Sequence, residues 1–326
     1  MKKTVGIALV GIAMLANGCT SGSSPGTSAS GGAAAPKNNN VALVLGVKGS
    51  PFYEAMACGA QARAKELGLT LSVSAGAQFA ADAQIPVVNA VTASKPAVAA
   101  VVPTDASALQ QPLTALTKGG TALITVDQTL ADSSIVKNQI LTDNLKGGQL
   151  AADEMNTILA GKGKVLVITQ PPGSTAQDER TKGFEDQLKK YPGITYLGPQ
   201  YQADDPQKAA QIVTSTMAAH PDLTGVFSTN DQGAIGALTG LKQANASGKV
   251  QLIAYDAASA EVAALKNGTI SALIAQNPKQ EGEVAMDTAK KLIAGGQVEP
   301  KTLTDLVVVH KGDNVNADKY EYKGGC

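Results

Sequence analysis

The chain has 326 residues, with 27 basic and 27 acidic side chains and a formal net charge of zero. A neutral chain without a basic cluster lacks the attraction to phosphates that nucleic-acid binding requires. Two histidines and three cysteines, without paired metal-ligand spacing, leave little from which to build a zinc site. We therefore expect no metal, cofactor or nucleic-acid partner.

The first 40 residues predict an export signal and a linker. Lys2 and Lys3 precede an apolar stretch that is too short to span a bilayer. The small residue before Cys19 resembles the cleavage site of bacterial lipoproteins. We predict a signal peptide over residues 1–18, lipidation of Cys19, and a flexible Gly- and Ser-rich linker over residues 19–40. The alternative is an ordinary cleaved signal with an incidental cysteine.

Beyond the linker, short apolar runs alternate with longer helical patterns. This alternation predicts parallel sheets covered by helices, and the length suffices for two lobes with separate cores. The predicted fold class is α/β, with two doubly wound lobes. The predicted strands cover residues 41–47, 70–74, 98–102, 121–126, 165–169, 194–197, 226–229, 252–255, 270–275 and 306–309, and long helices cover 53–67, 145–160 and 279–294. The pattern does not assign the last helix and the last strand to either lobe.

Five of the apolar runs end at side chains suited to binding hydroxyl groups. In open α/β sheets, ligands bind beyond the carboxyl ends of the parallel strands. Carboxylates accept hydrogen bonds from hydroxyls, and amides both donate and accept. The residues at these tips are Ser50, Phe52, Tyr53, Asp127, Gln128, Asn230, Asp231, Asp256 and Gln276. Their makeup predicts a neutral polyhydroxyl ligand.

The strand-tip residues also have purely structural interpretations. Phe52 and Tyr53 would lay a ring against the C–H face of a sugar, or instead staple the start of the first helix. Asp127, Asn230 and Asp256 would each accept ligand hydroxyls, or instead cap the following helix. The joint occurrence of such residues at several strand tips favours a ligand site.

Arg180 is the candidate cation that balances buried carboxylates, and a surface salt bridge is its alternative interpretation. After Cys19, two cysteines remain. Cys58 falls on the predicted solvent face of the first helix, and Cys326 ends a Gly-rich tail. Because exposed thiols oxidise outside the cell, we predict a disulfide between Cys58 and Cys326. Free or intermolecular thiols are the alternative.

Taken in order, the motifs resemble those of the ribose/galactose-type periplasmic sugar-binding proteins of ABC transporters, most closely the ribose-binding branch. The resemblance covers about residues 41–312. It rests on Ser50-Pro51-Phe52-Tyr53, Pro103-Thr104-Asp105, Val126-Asp127, Thr142-Asp143-Asn144, Arg180 with Gly183-Phe184, His220-Pro221-Asp222, Phe227 with Asn230-Asp231, Tyr255-Asp256 and Ile274-Ala275-Gln276.

The resemblance implies two lobes joined by a three-segment hinge, with crossings near Thr142, at Gln276 and near Thr304. The implied N-terminal lobe covers residues 41–142 and 277–304, the C-terminal lobe covers 143–276 and 305–315, and residues 316–326 form a tail. The resulting set of ligand-binding residues is Ser50, Phe52, Tyr53, Asp105, Asp127, Gln128, Arg180, Asp204, Asn230, Asp256 and Gln276.

The sequence departs from the ribose-binding pattern at three places. Gln128 stands where those proteins carry Arg, and Ser50 stands where they carry Asn. The aromatic residue expected in the second lobe is replaced around residues 203–205. One face of the ligand thereby loses its stacking partner, so we expect a pentose or a smaller or acyclic polyol such as a tetritol or pentitol.

We expect an exported, lipid-anchored and monomeric binding protein, without enzyme activity, that closes its lobes around a small sugar or sugar alcohol and delivers it to an ABC permease. A sugar- or furanosyl-signal-binding subunit of a membrane sensor is one alternative, because it would share the fold and the site. A glycosidase that uses Asp127 and Asp256 as its carboxylate pair is a second alternative.

Overall fold

The computed structural model describes residues 38–322 and residue 326, which contain two α/β lobes, each built on a six-stranded sheet. The predicted signal peptide, the predicted lipidation site Cys19 and nearly all of the predicted linker lie outside the described residues. Within this described part, no helix combines the length and the apolar character needed to cross a membrane.

The first lobe begins with alternating strands and helices. These are β1 (Asn40–Leu45), α1 (Pro51–Leu67), β2 (Thr70–Ala75), α2 (Ala81–Ser94), β3 (Val98–Val101), α3 (Gln110–Lys118), β4 (Ala122–Val126) and β5 (Val136–Leu141). β1 and β3 are almost wholly buried because helices cover both faces of the parallel sheet. Pro51 starts α1, and Gly68 ends it in the left-handed conformation, at φ 64°.

The second lobe repeats this pattern. Its elements are α4 (Asn144–Ile158), β6 (Gly163–Thr169), α5 (Thr175–Leu188), β7 (Ile194–Tyr201), α6 (Pro206–Ala219), β8 (Gly225–Ser228), α7 (Asp231–Gln243), β9 (Gln251–Tyr255), α8 (Ser259–Asn267) and β10 (Ala272–Gln276). Strands β6 to β10 are paired in parallel.

The chain then returns to the first lobe and crosses once more to the second. The last elements are α9 (Pro278–Ile293), β11 (Lys301–Leu303), β12 (Leu306–His310) and α10 (Asn314–Tyr320). α9 packs on α1 and β3 to β5, and β11 joins β5, so both belong to lobe 1. β12 pairs antiparallel with β10 and α10 packs on α8, so both belong to lobe 2. The sheet orders are β11-β5-β4-β3-β1-β2 and β12-β10-β9-β8-β6-β7.

Three crossings join the lobes, between β5 and α4, between β10 and α9, and between β11 and β12. Thr142 of the first crossing and Thr304 of the third lie beside the carboxyl group of Glu281, and Gln276 of the second crossing contacts Thr142. Thr142 Oγ1 is 3.2 Å from Glu281 Oε1 and 2.9 Å from Gln276 Oε1, and Thr304 Oγ1 is 3.3 Å from Glu281 Oε1. Burial raises the Glu281 pKa well above its ordinary value. The hinge is therefore a buried polar cluster.

The end of the chain differs from the predicted tail. Residues 314–320 form α10, and the ring of Tyr322 is buried against lobe 2. Four residues later, Cys326 forms a disulfide with Cys58 of α1, with the two Cα atoms 5.3 Å apart. The pattern of apolar runs also missed β5 and β11. β11 is a three-residue strand at the edge of the lobe 1 sheet, and β5 lies between β11 and β4. The polar residues of both strands obscure the apolar signal.

Candidate functional site

A narrow cavity of about 30 Å³ lies between the two lobes. In this closed arrangement it is smaller than the usual range for small-molecule sites. It lies at the carboxyl ends of the strands, where sheets of this type bind ligands. Its lining comprises Ser50, Phe52, Tyr53, Phe79, Asp127, Gln170, Gln177, Arg180, Asp204, Asn230, Asp231, Asp256 and Gln276. Nine of the eleven predicted ligand-binding residues thus come together in one place.

Three aromatic rings form the lobe 1 side of the cavity. Phe52 meets Tyr53 edge to face with ring centroids 5.2 Å apart, and Tyr53 stacks on Phe79 with an interplanar angle of 12°. Gly46 makes room for them, because a Cβ atom there would lie 2.7 Å from both Tyr53 and Phe79. Among the described residues that line the cavity, every aromatic ring comes from lobe 1. This arrangement offers one apolar wall to a ligand.

The two strand-tip aspartates occupy equivalent backbone positions in the two lobes. Asp127 follows β4 with a φ of 62°, and Asp256 follows β9 with a φ of 89°. Each backbone N–H donates to the neighbouring strand, at 2.9 Å to Ile140 O and 2.9 Å to Ile274 O respectively. Positive φ is unfavourable for residues other than Gly, though Asp and Asn tolerate it, and such strained residues cluster at functional sites. Each lobe therefore aims the carboxylate of one such strand-tip aspartate into the cavity.

Asp127 is held by the aromatic wall. Its Oδ2 accepts a hydrogen bond from the Tyr53 hydroxyl at 3.0 Å. Burial raises the pKa of Asp127 to about 6, and the positive charge of Arg180 opposes this effect. At neutral pH the carboxylate is ionised, and it can accept hydrogen bonds from ligand hydroxyls.

Asp256 is fixed by donors from three segments of the chain. Its Oδ2 accepts from the backbone N–H of Asp231 at 3.0 Å. Its Oδ1 accepts from Gln276 Nε2 at 2.6 Å and from the Tyr322 hydroxyl at 2.9 Å. Because both oxygens already accept hydrogen bonds, Asp256 is a rigid acceptor at the junction of lobe 2 and the hinge.

Arg180 is only 2% exposed, so the alternative of a surface salt bridge is wrong. Its three hydrogen bonds go to neutral oxygens. Nε donates to Asn144 Oδ1 at 2.8 Å, Nη1 to Thr229 O at 2.8 Å and Nη2 to Gln276 Oε1 at 3.1 Å. The guanidinium also lies 3.7 Å from the centre of the Tyr255 ring. Arg180 thus supplies a fixed positive charge to a cavity lined by four aspartates.

Amides and carboxylates form the lobe 2 wall of the cavity. Asp204 Oδ1 accepts from Gln170 Nε2 and Asn230 Nδ2, both at 2.9 Å. Asn230 Oδ1 accepts from Gly233 N at 3.0 Å, so Asn230 caps α7 as well as lining the cavity. Burial raises the pKa of Asp204 to about 6, and burial together with the charge of a neighbouring carboxylate raises that of Asp231 to about 8. The Asp231 carboxyl is therefore mainly protonated at neutral pH.

Gln128 does not line the cavity, although it was predicted as a ligand-binding residue. Its Oε1 accepts from Thr175 Oγ1 at 3.0 Å and from the backbone N–H of Ala176 at 2.9 Å. Both donors lie in the first turn of α5, where unpaired backbone N–H groups attract an acceptor. Because Gln128 belongs to lobe 1 and α5 to lobe 2, Gln128 makes a contact that holds the lobes together.

Asp105 is the second predicted residue outside the cavity lining. Its Oδ1 accepts from the backbone N–H groups of Ser107 and Ala108 at 2.9 and 2.7 Å. The carboxylate therefore caps a turn of lobe 1. The next residue, Ala106, donates its N–H to Gly173 O of lobe 2 at 3.1 Å. By capping this turn, Asp105 supports the backbone hydrogen bond between the two closed lobes.

The predicted set of eleven ligand-binding residues missed four lining residues, and most of them had a signal in the sequence. Gln170 directly follows β6, and Asp231 was named among the strand-tip residues but left out of the set. Gln177 lies three residues before Arg180, on the same face of α5. Phe79 lies in the loop after β2, where no periodicity marks it.

Two α/β lobes that are joined by three crossings and close on a cavity lined from both sides define a bilobal solute-binding protein. The chain belongs to the family described as periplasmic binding protein domain, whose model matches residues 41–297. Within the described residues, no group of three or more His, Cys, Asp or Glu is placed to hold a metal ion.

The similar proteins bind sugars and sugar alcohols. The ribose import binding protein of Escherichia coli is 29% identical over 87% of this chain and 95% of its own length. The xylitol-binding protein of Mycolicibacterium smegmatis is 26% identical over 66% of this chain and 61% of its own length. A solute-binding protein of an ABC transporter from Agrobacterium vitis, solved with α-D-tagatopyranose, is 32% identical, with a TM-score of 0.85, over 87% of this chain and 99% of that chain.

Proposed function

We propose that this protein captures a small neutral sugar or sugar alcohol between its lobes and delivers it to an ABC importer. The observation that carries this proposal is the lining of the cavity, with one aromatic wall on lobe 1 and hydroxyl-binding acceptors on both lobes. A pentose, tetritol or pentitol would place an apolar C–H face on Phe52 and donate its hydroxyls to Asp127 and Asp256. The names of its relatives support the same ligand class.

Hinge bending explains how ligand and closure are coupled in this proposal. Asp127 belongs to lobe 1 and Asp256 to lobe 2, so a ligand contacts both only when the lobes are closed. A ligand with this preference shifts the population towards the closed form, which an importer recognises. Gln276 links hinge and ligand site, because its side chain contacts Thr142 of one crossing and Asp256 of the site.

Binding is favoured over glycoside hydrolysis by the contacts of Asp256. A glycosidase needs one carboxyl group that delivers a proton to the leaving oxygen. Both oxygens of Asp256 accept hydrogen bonds from protein donors, which suits a hydrogen-bond acceptor rather than a proton donor. Appreciable hydrolysis of a glycoside by the purified protein would contradict this assignment. The proposal also includes export, lipidation of Cys19 and a location at the outer face of the cytoplasmic membrane or in the periplasm, which the sequence of residues 1–40 and the family support. It further includes a monomeric state.

A thermal-shift screen tests the ligand class. D-ribose, D-arabinose, erythritol, xylitol and a set of hexoses would each be added to the purified protein, with a dicarboxylate and an amino acid as controls. We expect one or more polyhydroxyl compounds to raise the melting temperature, since ligand binding stabilises the folded state by mass action. Titration calorimetry would then give a stoichiometry of one. A panel in which only the controls bind would contradict the proposal.

A further inference from the structure

The C-terminal segment connects the two lobes outside the three hinge crossings. On lobe 2, the backbone N–H of Tyr322 donates to Ala257 O at 2.9 Å, and Tyr322 pairs with Ala258 in a parallel bridge. On lobe 1, Cys326 is bonded to Cys58 in the middle of α1. Only four peptide steps separate these two attachments, a reach of about 13–14 Å when fully extended.

Tyr322 also contacts the ligand site from both lobes. Its hydroxyl donates to Asp256 Oδ1 at 2.9 Å, on the oxygen that also accepts from Gln276. Its ring meets the ring of Phe52 edge to face with centroids 5.6 Å apart. Tyr322 is 3% exposed and lies behind the cavity lining rather than in it. It therefore supports one acceptor and one aromatic wall at once.

We propose that the C-terminal segment, closed by the Cys58–Cys326 disulfide, is a fourth connection between the lobes that restrains their opening and positions Asp256 through Tyr322. The disulfide and Tyr322 border the same groove as Asn277 of the second crossing, so the connection lies beside the hinge. Opening the lobes pulls Tyr322 away from Phe52, or away from Asp256. The segment narrows the range of open conformations, which lowers the entropic cost of closure.

The restraint is tested without any ligand. Wild-type protein and the Cys58→Ser/Cys326→Ser variant would be compared by small-angle X-ray scattering and by a fluorescence distance between the lobes. We expect a larger radius of gyration and a broader distance distribution in the ligand-free variant, because the covalent connection is lost. Equal radii and equal distance distributions in the two proteins would overturn the restraint. Since no ligand is present, this outcome does not depend on the proposed function.

The positioning role rests on the proposed function, and it is tested with D-ribose, D-arabinose and xylitol. Tyr322→Phe removes the hydroxyl but keeps the ring and the disulfide. Tyr320→Phe is the matched control in the same segment, because the half-buried Tyr320 has a hydroxyl that accepts from Lys319 Nζ and does not contact Asp256. We expect Tyr322→Phe to raise the dissociation rate about tenfold, with an unchanged association rate and an unchanged radius of gyration. An unchanged dissociation rate, or an equal rise in the Tyr320→Phe control, would overturn the role. If wild type binds none of these sugars, the proposed function fails instead.

Discussion

The carboxylate of Asp127 gives the sharpest test of the ligand site. Its Oδ2 accepts from the Tyr53 hydroxyl, and its backbone has a φ of 62°. Asp127→Ala removes two acceptor oxygens, and it places Ala in a conformation that costs about 1–2 kcal/mol. Asp127→Asn removes the charge but keeps the shape and tolerates the same backbone conformation. The pair of variants therefore separates loss of binding from loss of stability.

The magnitude follows from the number of hydrogen bonds lost. A hydrogen bond to a charged group contributes about 1.5–3 kcal/mol, so two such bonds from ligand hydroxyls to Asp127 give about 3 kcal/mol. That free energy corresponds to a roughly hundredfold weaker affinity. We expect about a hundredfold loss in Asp127→Ala, with a lower melting temperature, and about a tenfold loss in Asp127→Asn, with little change in melting temperature. Titration calorimetry and thermal unfolding measure both. Unchanged affinity in both variants would refute the site assignment.

Three further predictions test other features of the molecule. Because burial raises the pKa values of Asp127 and Asp204 to about 6 from 3.8, the folded protein takes up protons between about pH 6 and 4 that the unfolded chain does not. Their contribution to the free energy of unfolding therefore grows as pH falls through this window and is lost as pH rises through 6. Ligand affinity should instead decrease as pH is lowered, because the carboxylate acceptors are neutralised. Denaturation and calorimetry at pH 7.5 and 5 should show these opposite trends, and a higher affinity at pH 5 would contradict them. Gly46→Ala should weaken binding about tenfold, since the new Cβ displaces the rings of Tyr53 and Phe79, and full affinity in that variant would show that the aromatic wall is dispensable. Reduction should add two hydrogen atoms to the mass of the unfolded protein if Cys58 and Cys326 are bonded, and an unchanged mass would contradict the disulfide.

The strand-tip residues were predictable because the backbone alone fixes their direction. Asp127, Asp256 and Gln276 each stand at or directly after the carboxyl end of a central strand, and the sheet brings those ends to one edge. The same argument placed Gln128 in the site, but one residue beyond Asp127 the chain turns, and the first turn of α5 in the other lobe captures its side chain. Contacts between lobes of this kind leave no local pattern in a sequence.

Phe79 and Tyr322 show a second limit of the sequence. Phe79 reaches the cavity from a loop, and its position follows from its stacking on Tyr53 rather than from any period. Tyr322 lies in a polar segment beyond the part of the chain that the resemblance covers, where a tail was predicted. Its burial depends on lobe 2 offering Ala257 O and the Asp256 carboxylate at the right place. Both positions are set by tertiary contacts that only the folded chain defines.

The most direct test of the account is a crystal structure of the protein grown with the polyhydroxyl compound that raises its melting temperature most. We expect one ligand molecule between closed lobes, with a C–H face on Phe52, hydroxyls within hydrogen-bond distance of Asp127 and Asp256, and Arg180 beside the ligand. A ligand bound elsewhere on the surface, with the space between these residues filled only by solvent, would contradict the central claim.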